Sequence, residues 1–209
     1  LRRCLNSIEQ KTNYQSYKLV IVDNGSTDSS LEVIRDSPLN THIIKNENNE
    51  GFVTANNQAF KQYPNTDYYL LLNNDTVITQ SNWLEELVGF AEKNDSDILG
   101  CKLLYPDGGI QHGGGLINPG WPPATQISEN SHLPKGKENF AWSPDYVTGA
   151  AMLVREDVIS NLNGFGDIFT TAYYEDTDLC MRAKMAGYSI HYTPAVEIIH
   201  YEKASTNTK

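Results

Sequence analysis

Three groups of polar side chains follow three short apolar runs, and they are well suited to bind a small polar ligand. The runs are "YKLVIVD", "THIIKNE" and "DYYLLLN". They lead into Asp23-Asn24-Gly25-Ser26, into the segment 46–51 and into Asn73-Asn74-Asp75. In sheets of parallel strands, ligands bind outside the carboxyl ends of the strands. The three groups therefore predict one shared site for a polar small molecule.

The chain lacks the glycine-rich signatures of common phosphate loops. It contains neither GxGxxG nor GxxxxGK[ST], so the dinucleotide-binding and P-loop readings have no support. It carries 16 Lys and Arg against 26 Asp and Glu, a formal net charge of -10. Nucleic-acid binding needs a basic face and is therefore disfavoured. A phosphate-bearing small ligand stays compatible, because a divalent cation can supply positive charge.

The elements that must position these side chains alternate along the first half of the chain. The length of 209 residues, with 39% hydrophobic and 20% charged residues, is typical of a folded globular chain. Short β-branched runs bounded by turns alternate with helix-like segments up to residue 105. The pattern predicts an α/β fold with a mostly parallel central sheet flanked by helices.

The second half begins with a segment of different composition. Residues 106–145 hold many of the Pro and Gly residues and predict a long flap. Regular structure is expected again at "YVTGAAMLVRED", "EDTDLCMRAKMAGY" and "SIHYTPAVEIIH".

Cysteine usage and hydropathy indicate a cytoplasmic protein. Cys4, Cys101 and Cys180 are odd in number, widely spaced and without a CxxC pattern, which favours reduced thiols. No run approaches the ~20 apolar residues of a membrane span, and no signal peptide is visible.

Several sequence blocks, in order, resemble the family 2 glycosyltransferases. They are "VIVDNGSTDSS", "NENNEGFVTANNQAF", "YYLLLNNDTVI", "YVTGAAMLVRED" and "YEDTDLCMRAKMAGY", with a late His. The resemblance is strongest to bacterial rhamnosyltransferases and similar surface-polysaccharide enzymes. It implies a GT-A fold around a continuous central sheet, with a nucleotide-sugar-binding half (1–105) and an acceptor-binding and catalytic half (106–209). The family's opening strand has no counterpart before Leu1, so this strand is expected to be missing.

The resemblance also implies a reaction and a set of residue roles. The reaction is transfer of a sugar from a UDP- or dTDP-linked donor to a glycan or lipid-linked acceptor, with inversion at the anomeric carbon. A lipid-linked acceptor would bring the enzyme to the inner face of a membrane. The nucleotide-binding residues that the resemblance and the strand ends assign are Asp23, Asn24, Gly25, Ser26, Asn49, Gly51, Asn56 and Asn74.

Asn73-Asn74-Asp75 matches the family's Asp-x-Asp metal site, and His200 occupies the position of a further ligand in some relatives. Mg²⁺ or Mn²⁺ on the diphosphate would stabilise the charge of the leaving group and prefers oxygen ligands. Asp75 offers a carboxylate, whereas Asn73 offers only a neutral amide oxygen and should bind a metal more weakly. An ordinary turn remains the alternative for the triplet, and an ordinary strand-end histidine remains the alternative for His200.

Asp176 matches the family's catalytic base, which takes the proton from the attacking acceptor hydroxyl. It opens a predicted helix, whose positive end favours an ionised carboxylate. The neighbouring Glu175 is expected to contact acceptor hydroxyls. Without the family match, these acids are equally well explained as helix N-terminal residues that complement the dipole.

The acceptor side is the least defined part of the sequence. Trp142 and Tyr174 offer aromatic faces for sugar rings. Gly149 would let an acceptor approach the backbone closely, although simple packing explains it equally well.

Two other functions compete with glycosyl transfer. A nucleotidyltransferase would also use an α/β sheet and a metal carboxylate, but it needs a basic, glycine-rich phosphate loop. A catalytically idle nucleotide-sugar or glycan-binding domain is favoured by Asn73 and by the missing opening strand.

Overall fold

The computed structural model describes residues 1–120, 124–127, 136–168 and 174–202. Six α-helices lie in these ranges: α1 (Arg2–Lys11), α2 (Ser30–Arg35), α3 (Gly51–Gln62), α4 (Trp83–Asn94), α5 (Glu156–Leu162) and α6 (Glu175–Met185). Ten strands accompany them: β1 (Leu19–Asn24), β2 (Thr41–Asn46), β3 (Tyr68–Leu72), β4 (Thr76–Ile78), β5 (Ile98–Leu104), β6 (Ile110–His112), β7 (Gly115–Ile117), β8 (Ala124–Gln126), β9 (Ala151–Arg155) and β10 (Ile190–His200). The helices and strands predicted for the first half are all present.

The main sheet is mixed, and the prediction of a mostly parallel sheet is wrong. Its strand order is β3-β9-β5-β10-β4, with β6 added to β5. Only the β5–β10 pair in this sheet is parallel, whereas β3–β9, β5–β9, β4–β10 and β5–β6 are antiparallel. The mixture arises because two strands from the second half of the chain flank β5. Strand β9 runs antiparallel to β5, and β10 runs parallel to it. Strands from both sides of residue 105 therefore share one sheet.

A separate parallel pair, β1–β2, forms a second sheet among the described strands. Neither β1 nor β3 has a described partner on its other edge, and residues of both strands line one groove. The central sheet is therefore divided here rather than continuous.

The main sheet is covered on both faces, as its continuous apolar strands require. Successive residues of β9 alternate between two core clusters, with Met152 in one and Leu153 in the other. The first cluster includes buried residues of α3, α5 and α6, and the second includes those of α1 and α4. The two core clusters thus pack helices on both faces of the sheet, and this packing supports the strand ends that carry the polar residues.

Strand β10 stays paired with β5 along its length, with an irregularity near Pro194. Its pairing with β5 shifts register between Thr193 and Glu197. Proline has no backbone N–H to offer a ladder, so a break in pairing is expected there. Beyond the shift, β10 also pairs antiparallel with β4, which sets His200 opposite Thr76.

The described part of the 106–145 flap contains three short strands, β6 to β8, and a 3₁₀ turn at Lys137–Asn139. The three cysteines are buried and free, so they form no disulfide with one another. Across the described ranges, no helix combines the length and hydropathy that crossing a bilayer requires.

Candidate active site

The groove between β1 and β3 collects many of the side chains predicted to bind nucleotide or metal. Its volume is about 950 Å³. The predicted residues that line it are Asp23, Asn24, Ser26, Asn56, Asn73, Asn74, Asp75 and Gly149. Five other predicted residues do not line it. Gly25 follows Asn24 in the chain, and hydrogen bonds or an ion pair join Asn49, Gly51, His200 and Asp176 to lining residues. The topology thus brings two of the three polar strand ends to one cavity.

Asn24 ties the end of β1 to the loop before α3. Its Nδ2 donates to Asn49 Oδ1 at 2.9 Å and to the Gly51 carbonyl at 3.2 Å. Its Oδ1 accepts from Asn46 Nδ2 at 2.9 Å and from the Glu50 N–H at 3.0 Å. Four hydrogen bonds use the full capacity of this amide. The role that the geometry gives Asn24 is therefore to hold the loop before α3 against the end of β1.

The turn after β1 is tightly packed on that same loop. Gly25 has φ +75°, and a Cβ there would lie 2.8 Å from the carbonyl carbon of Asn48. Buried Asp23 accepts a hydrogen bond from the Ser26 N–H at 3.2 Å, which closes the turn. Asn56, on α3, donates to the Phe52 carbonyl one helical turn earlier.

The Asn73-Asn74-Asp75 turn is held by backbone bonds on both sides. The Asn73 N–H donates to the Ala150 carbonyl at 2.9 Å, next to the β3–β9 pair. The Tyr201 N–H donates to the Asp75 carbonyl at 3.0 Å, beyond the end of β10. Asn74 is exposed at the tip of the turn. The turn is therefore fixed by the two strands that flank it.

His200 meets this turn as the sequence predicts. Its Nε2 lies 3.1 Å from Asp75 Oδ1, and both side chains are largely buried. The imidazole beside it holds the pKa of the Asp75 carboxyl below its usual value. His200 Nε2 also lies 3.3 Å from Asn73 Nδ2, so the amide nitrogen of Asn73, and not its oxygen, faces the ring. The oxygen ligand expected from Asn73 is not presented in this rotamer.

The chemistry of this donor set fits a divalent cation in part. Two ligands at right angles on a cation with bonds of about 2.1 Å lie about 3 Å apart, close to the separation of His200 Nε2 and Asp75 Oδ1. Such a pair of acceptors needs either a proton or a cation between them. No group of three or more His, Cys, Asp or Glu side chains suited to a metal occurs within the described ranges. Asp75 and His200 would hold the ion, and a bound diphosphate and water would supply the remaining ligands.

Asp176, the second residue of α6, has both carboxylate oxygens engaged in hydrogen bonds. Oδ2 accepts from the Gly149 N–H at 3.0 Å, and Oδ1 accepts from the Thr177 N–H at 2.7 Å. A Cβ on Gly149 would sit at ordinary contact distance from Asp176 and Phe52, so close packing alone does not require glycine. The Gly149 amide therefore places the carboxylate beside the groove.

The residues predicted to bind the acceptor are not brought together. Trp142 donates from Nε1 to the Gly113 carbonyl at 3.0 Å, and the Lys137 ammonium covers its ring at 3.7 Å from the centroid. Tyr174 is exposed and has φ +75°, a strained conformation for an aromatic residue at the start of α6. Neither residue lines the groove. Glu175 is the first residue of α6 and is half-buried.

Two residues of the site carry no motif and are not predicted from sequence. Gln111 Oε1 lies 2.7 Å from His200 Nδ1, and His112 Nε2 lies 3.3 Å from the Thr148 backbone nitrogen. Both are buried on β6 inside the flap. The available signal is the pairing of Gln and His beside glycines in "GIQHGGG". That signal is too weak to distinguish a site from a turn.

The fold places the chain in a structural class, the GT-A fold. The structure superposes on a crystal structure of GalNAc-T7 with UDP, GalNAc and Mn²⁺ with a TM-score of 0.75, at 13% identity over 97% of this chain and 41% of that one. It superposes on the Pyrobaculum calidifontis mannosyltransferase PcManGT, solved with GDP-Man and Mn²⁺, with a TM-score of 0.68, at 15% identity over 96% of this chain and 52% of that one. At these identities the likeness establishes the fold.

The model of the glycosyl transferase family 2 matches residues 1–162, and the chain belongs to this family. It is 29% identical to an uncharacterised Sinorhizobium fredii protein, y4gI, over 98% of this chain and 23% of that protein. It is also 29% identical to the O-antigen biosynthesis protein RfbC of Myxococcus xanthus, over 98% of this chain and 16% of that protein. These two relatives are thus much longer than the matched region.

A relative of more similar length is the N-acetylglucosaminyl-diphospho-decaprenol L-rhamnosyltransferase of Mycobacterium tuberculosis. It is 25% identical over 99% of this chain and 73% of that protein.

Proposed function

We propose that the chain is an inverting, divalent-metal-dependent glycosyltransferase. It would move a sugar from a UDP- or dTDP-linked donor to a hydroxyl of a glycan or lipid-linked acceptor. The observation that carries this proposal is the arrangement of Asp75–His200 and Asp176 around one turn, Thr148–Ala150, at the end of the groove. Ala150 binds the Asn73 backbone, and Gly149 binds the Asp176 carboxylate.

The donor would bind along the polar end of the groove. Asp23 and the 46–51 loop would bind the nucleoside, and Asn24 ties that loop to the end of β1. Asp75 and His200 would hold Mg²⁺ or Mn²⁺ against the diphosphate, and the ion would stabilise the charge of the leaving group. The Mn²⁺ in both solved neighbours supports this cofactor class.

Asp176 would serve as the general base. The acceptor oxygen attacks the anomeric carbon, and a new C–O bond forms as the bond to the diphosphate breaks. The electron pair leaves with the diphosphate, and the hydroxyl proton passes to Asp176. Attack from the face opposite the leaving group inverts the anomeric configuration. The Gly149 and Thr177 amides orient the carboxylate for this transfer.

The relatives support a place in surface-polysaccharide synthesis. One is named for O-antigen biosynthesis and one for rhamnosyl transfer to a decaprenol-linked sugar. We extend this to a cytoplasmic enzyme that meets a lipid-linked acceptor at the inner face of the membrane. Binding of the purified chain to vesicles with and without an undecaprenyl-diphosphate sugar tests this location.

The central experiment screens nucleotides and sugar nucleotides by thermal shift, with Mn²⁺, with Mg²⁺ and with a chelator. A ligand at 100 times its Kd stabilises the folded state by about 2.7 kcal/mol. For a chain of this size that corresponds to a rise in Tm of about 5–10 °C. Release of nucleoside diphosphate and NMR of the anomeric centre then report turnover and inversion.

Metal-dependent stabilisation by UDP or dTDP, together with diphosphate release from their sugars, would support the proposal. Retention of the anomeric configuration would refute the mechanism. A preference for a sugar phosphate with a nucleoside triphosphate would instead indicate a nucleotidyltransferase, which family membership disfavours.

A second candidate, a nucleotide-sugar-binding domain without catalysis, is favoured by one observation. Among the described residues, Asp75 is the one carboxylate in contact with the His200 ring, and Asn73 turns its amide nitrogen toward that ring. Stabilisation by a sugar nucleotide without release of diphosphate would support this candidate.

A further inference from the structure

Strand β6 lies between the two chemical parts of the site and contacts both. It pairs antiparallel with β5, and the register shifts within it. Leu103 faces His112 and Leu104 faces Ile110, so Gln111 is an extra residue without an opposite partner. Such bulges redirect a side chain and are frequent beside active sites. The sequence of β6 thus places two adjacent polar side chains where the pairing is irregular.

Gln111 fixes the ring of His200. Its Nε2 faces two acceptors, the His200 carbonyl and Glu202 Oε2, each at 3.4 Å. This orients the amide so that Oε1 meets His200 Nδ1 at 2.7 Å. Because Oε1 can only accept, Nδ1 is protonated, and Nε2 is left to face Asp75 with a proton or a cation between them. A hydrogen bond to the second ring nitrogen is the usual way in which a ligating histidine is oriented.

His112 fixes the turn that carries the base. Its Nε2 lies 3.3 Å from the Thr148 nitrogen, a backbone donor, so Nε2 must be unprotonated. Nδ1 then donates to Gln126 Oε1 at 3.0 Å, and burial lowers the pKa of the imidazole, which favours this neutral form. The next amide along the chain, that of Gly149, holds the Asp176 carboxylate. His112 therefore acts on Asp176 through one turn of backbone.

We propose that β6 is a positioning strand for the active site, in which Gln111 orients His200 for the metal and His112 holds the Thr148–Gly149 turn for the base. The proposal rests on the proposed function for its catalytic meaning. It goes further by assigning roles to two flap residues that touch neither substrate nor metal. Each residue should affect a different measured quantity, which a general effect on folding would not do.

For His112, two variants separate the two hydrogen bonds. His112→Gln keeps an acceptor near the Nε2 position, whereas His112→Asn keeps only a donor near Nδ1. We expect H112Q to retain kcat within about fivefold, the equivalent of one lost neutral hydrogen bond. H112N should lower kcat about 10–100-fold through misplacement of the base, with the apparent Kd for Mn²⁺ unchanged. His191→Gln is the matched control, since it alters another inward histidine, bonded to Ser96, away from the site.

For Gln111, the variant Gln111→Met keeps the side-chain length and removes the hydrogen bond. We expect the Kd for Mn²⁺ in the presence of UDP to rise about 10–100-fold. At saturating Mn²⁺, kcat should stay close to that of the wild type. The matched control is Gln80→Met, because Gln80 also bonds to the β10 backbone, at Ala195 and Glu197, but not to His200.

NMR tests the same inference without turnover. In the ¹⁵N-labelled protein, His112 should be neutral and protonated on Nδ1, and the Thr148 and Gly149 amide signals should move in H112N far more than in H112Q. A His112 ring protonated on Nε2 would overturn the proposal. So would equal loss of kcat in both His112 variants, or a Gln111→Met effect no larger than that of its control. If the wild type turns over no sugar nucleotide, the proposed function fails, and the NMR result alone decides whether β6 positions the turn.

Discussion

Replacing Asp176 by Asn gives the sharpest test of the site. The change removes the basic oxygen but keeps the shape of the side chain. Asn can still accept from one of the two amides that now bind the carboxylate, those of Gly149 and Thr177. The other amide would face the Asn NH₂, so one hydrogen bond is lost. The expected cost in stability is about 1–2 kcal/mol, including the loss of a negative charge at the start of α6.

The effect on rate should be much larger than the effect on stability. Loss of a general base lowers turnover by about 10²–10⁴-fold. Donor binding should be unchanged, because the proposal assigns the diphosphate to the metal on Asp75 and His200 and not to Asp176. The assay measures kcat and donor KM by release of nucleoside diphosphate in the presence of acceptor. Urea denaturation of the same sample reports the stability cost.

Asp178→Asn is the matched control for this test. Asp178 lies on the same turn of α6 and pairs with Arg182 at 2.8 Å. Its loss removes the same charge near the same helix end, so stability should fall by about 1 kcal/mol with little change in kcat. A D176N enzyme with near wild-type turnover, or equal rate losses in both variants, would refute the assignment of the base.

Three further predictions concern pH, metal and backbone. Burial lowers the pKa of both His112 and His191 below the unfolded value of about 6.5. The unfolded chain then binds more protons than the folded chain near and below that pH, so the free energy of unfolding should fall as pH drops from 7.5 to 5.5. A free energy of unfolding that stays constant over this range in urea titrations would contradict this. Asn73→Asp adds a second carboxylate beside Asp75 and should tighten Mn²⁺ binding about tenfold by calorimetry; an unchanged Kd would place the metal elsewhere. Gly25→Ala forces a Cβ to within 2.8 Å of the facing backbone at φ +75°; it should cost about 1–3 kcal/mol in urea denaturation, and a neutral result would mean that the turn can relax.

The strand ends show how far sequence alone reaches. The runs before Asp23 and Asn73 are short, apolar and rich in residues that favour strands, so β1 and β3 are predicted within one or two residues. Their polar ends line one groove, as parallel-strand logic predicts. The local sequence is sufficient to predict these two strands, because the apolar run and the turns that bound it are formed by neighbouring residues.

The direction of pairing was not predictable in the same way. The sequences of β9 and β10 carry no signal for direction, yet β9 runs antiparallel to β5 while β10 runs parallel to it. Direction depends on how the chain returns after the flap, which is a property of the whole path. The gap between β1 and β3 is likewise a property of the assembled sheet.

What the sequence determined by itself was the set of elements, the family resemblance and the identity of Asp75, Asp176 and His200 as chemically suited residues. Only the tertiary structure decided which of them meet. His200 reaches Asp75 because the end of β10 pairs with β4, more than a hundred residues away in sequence, which sets His200 opposite Thr76. Gln111 carries no local signal, since its role exists only through contacts that the folded backbone creates.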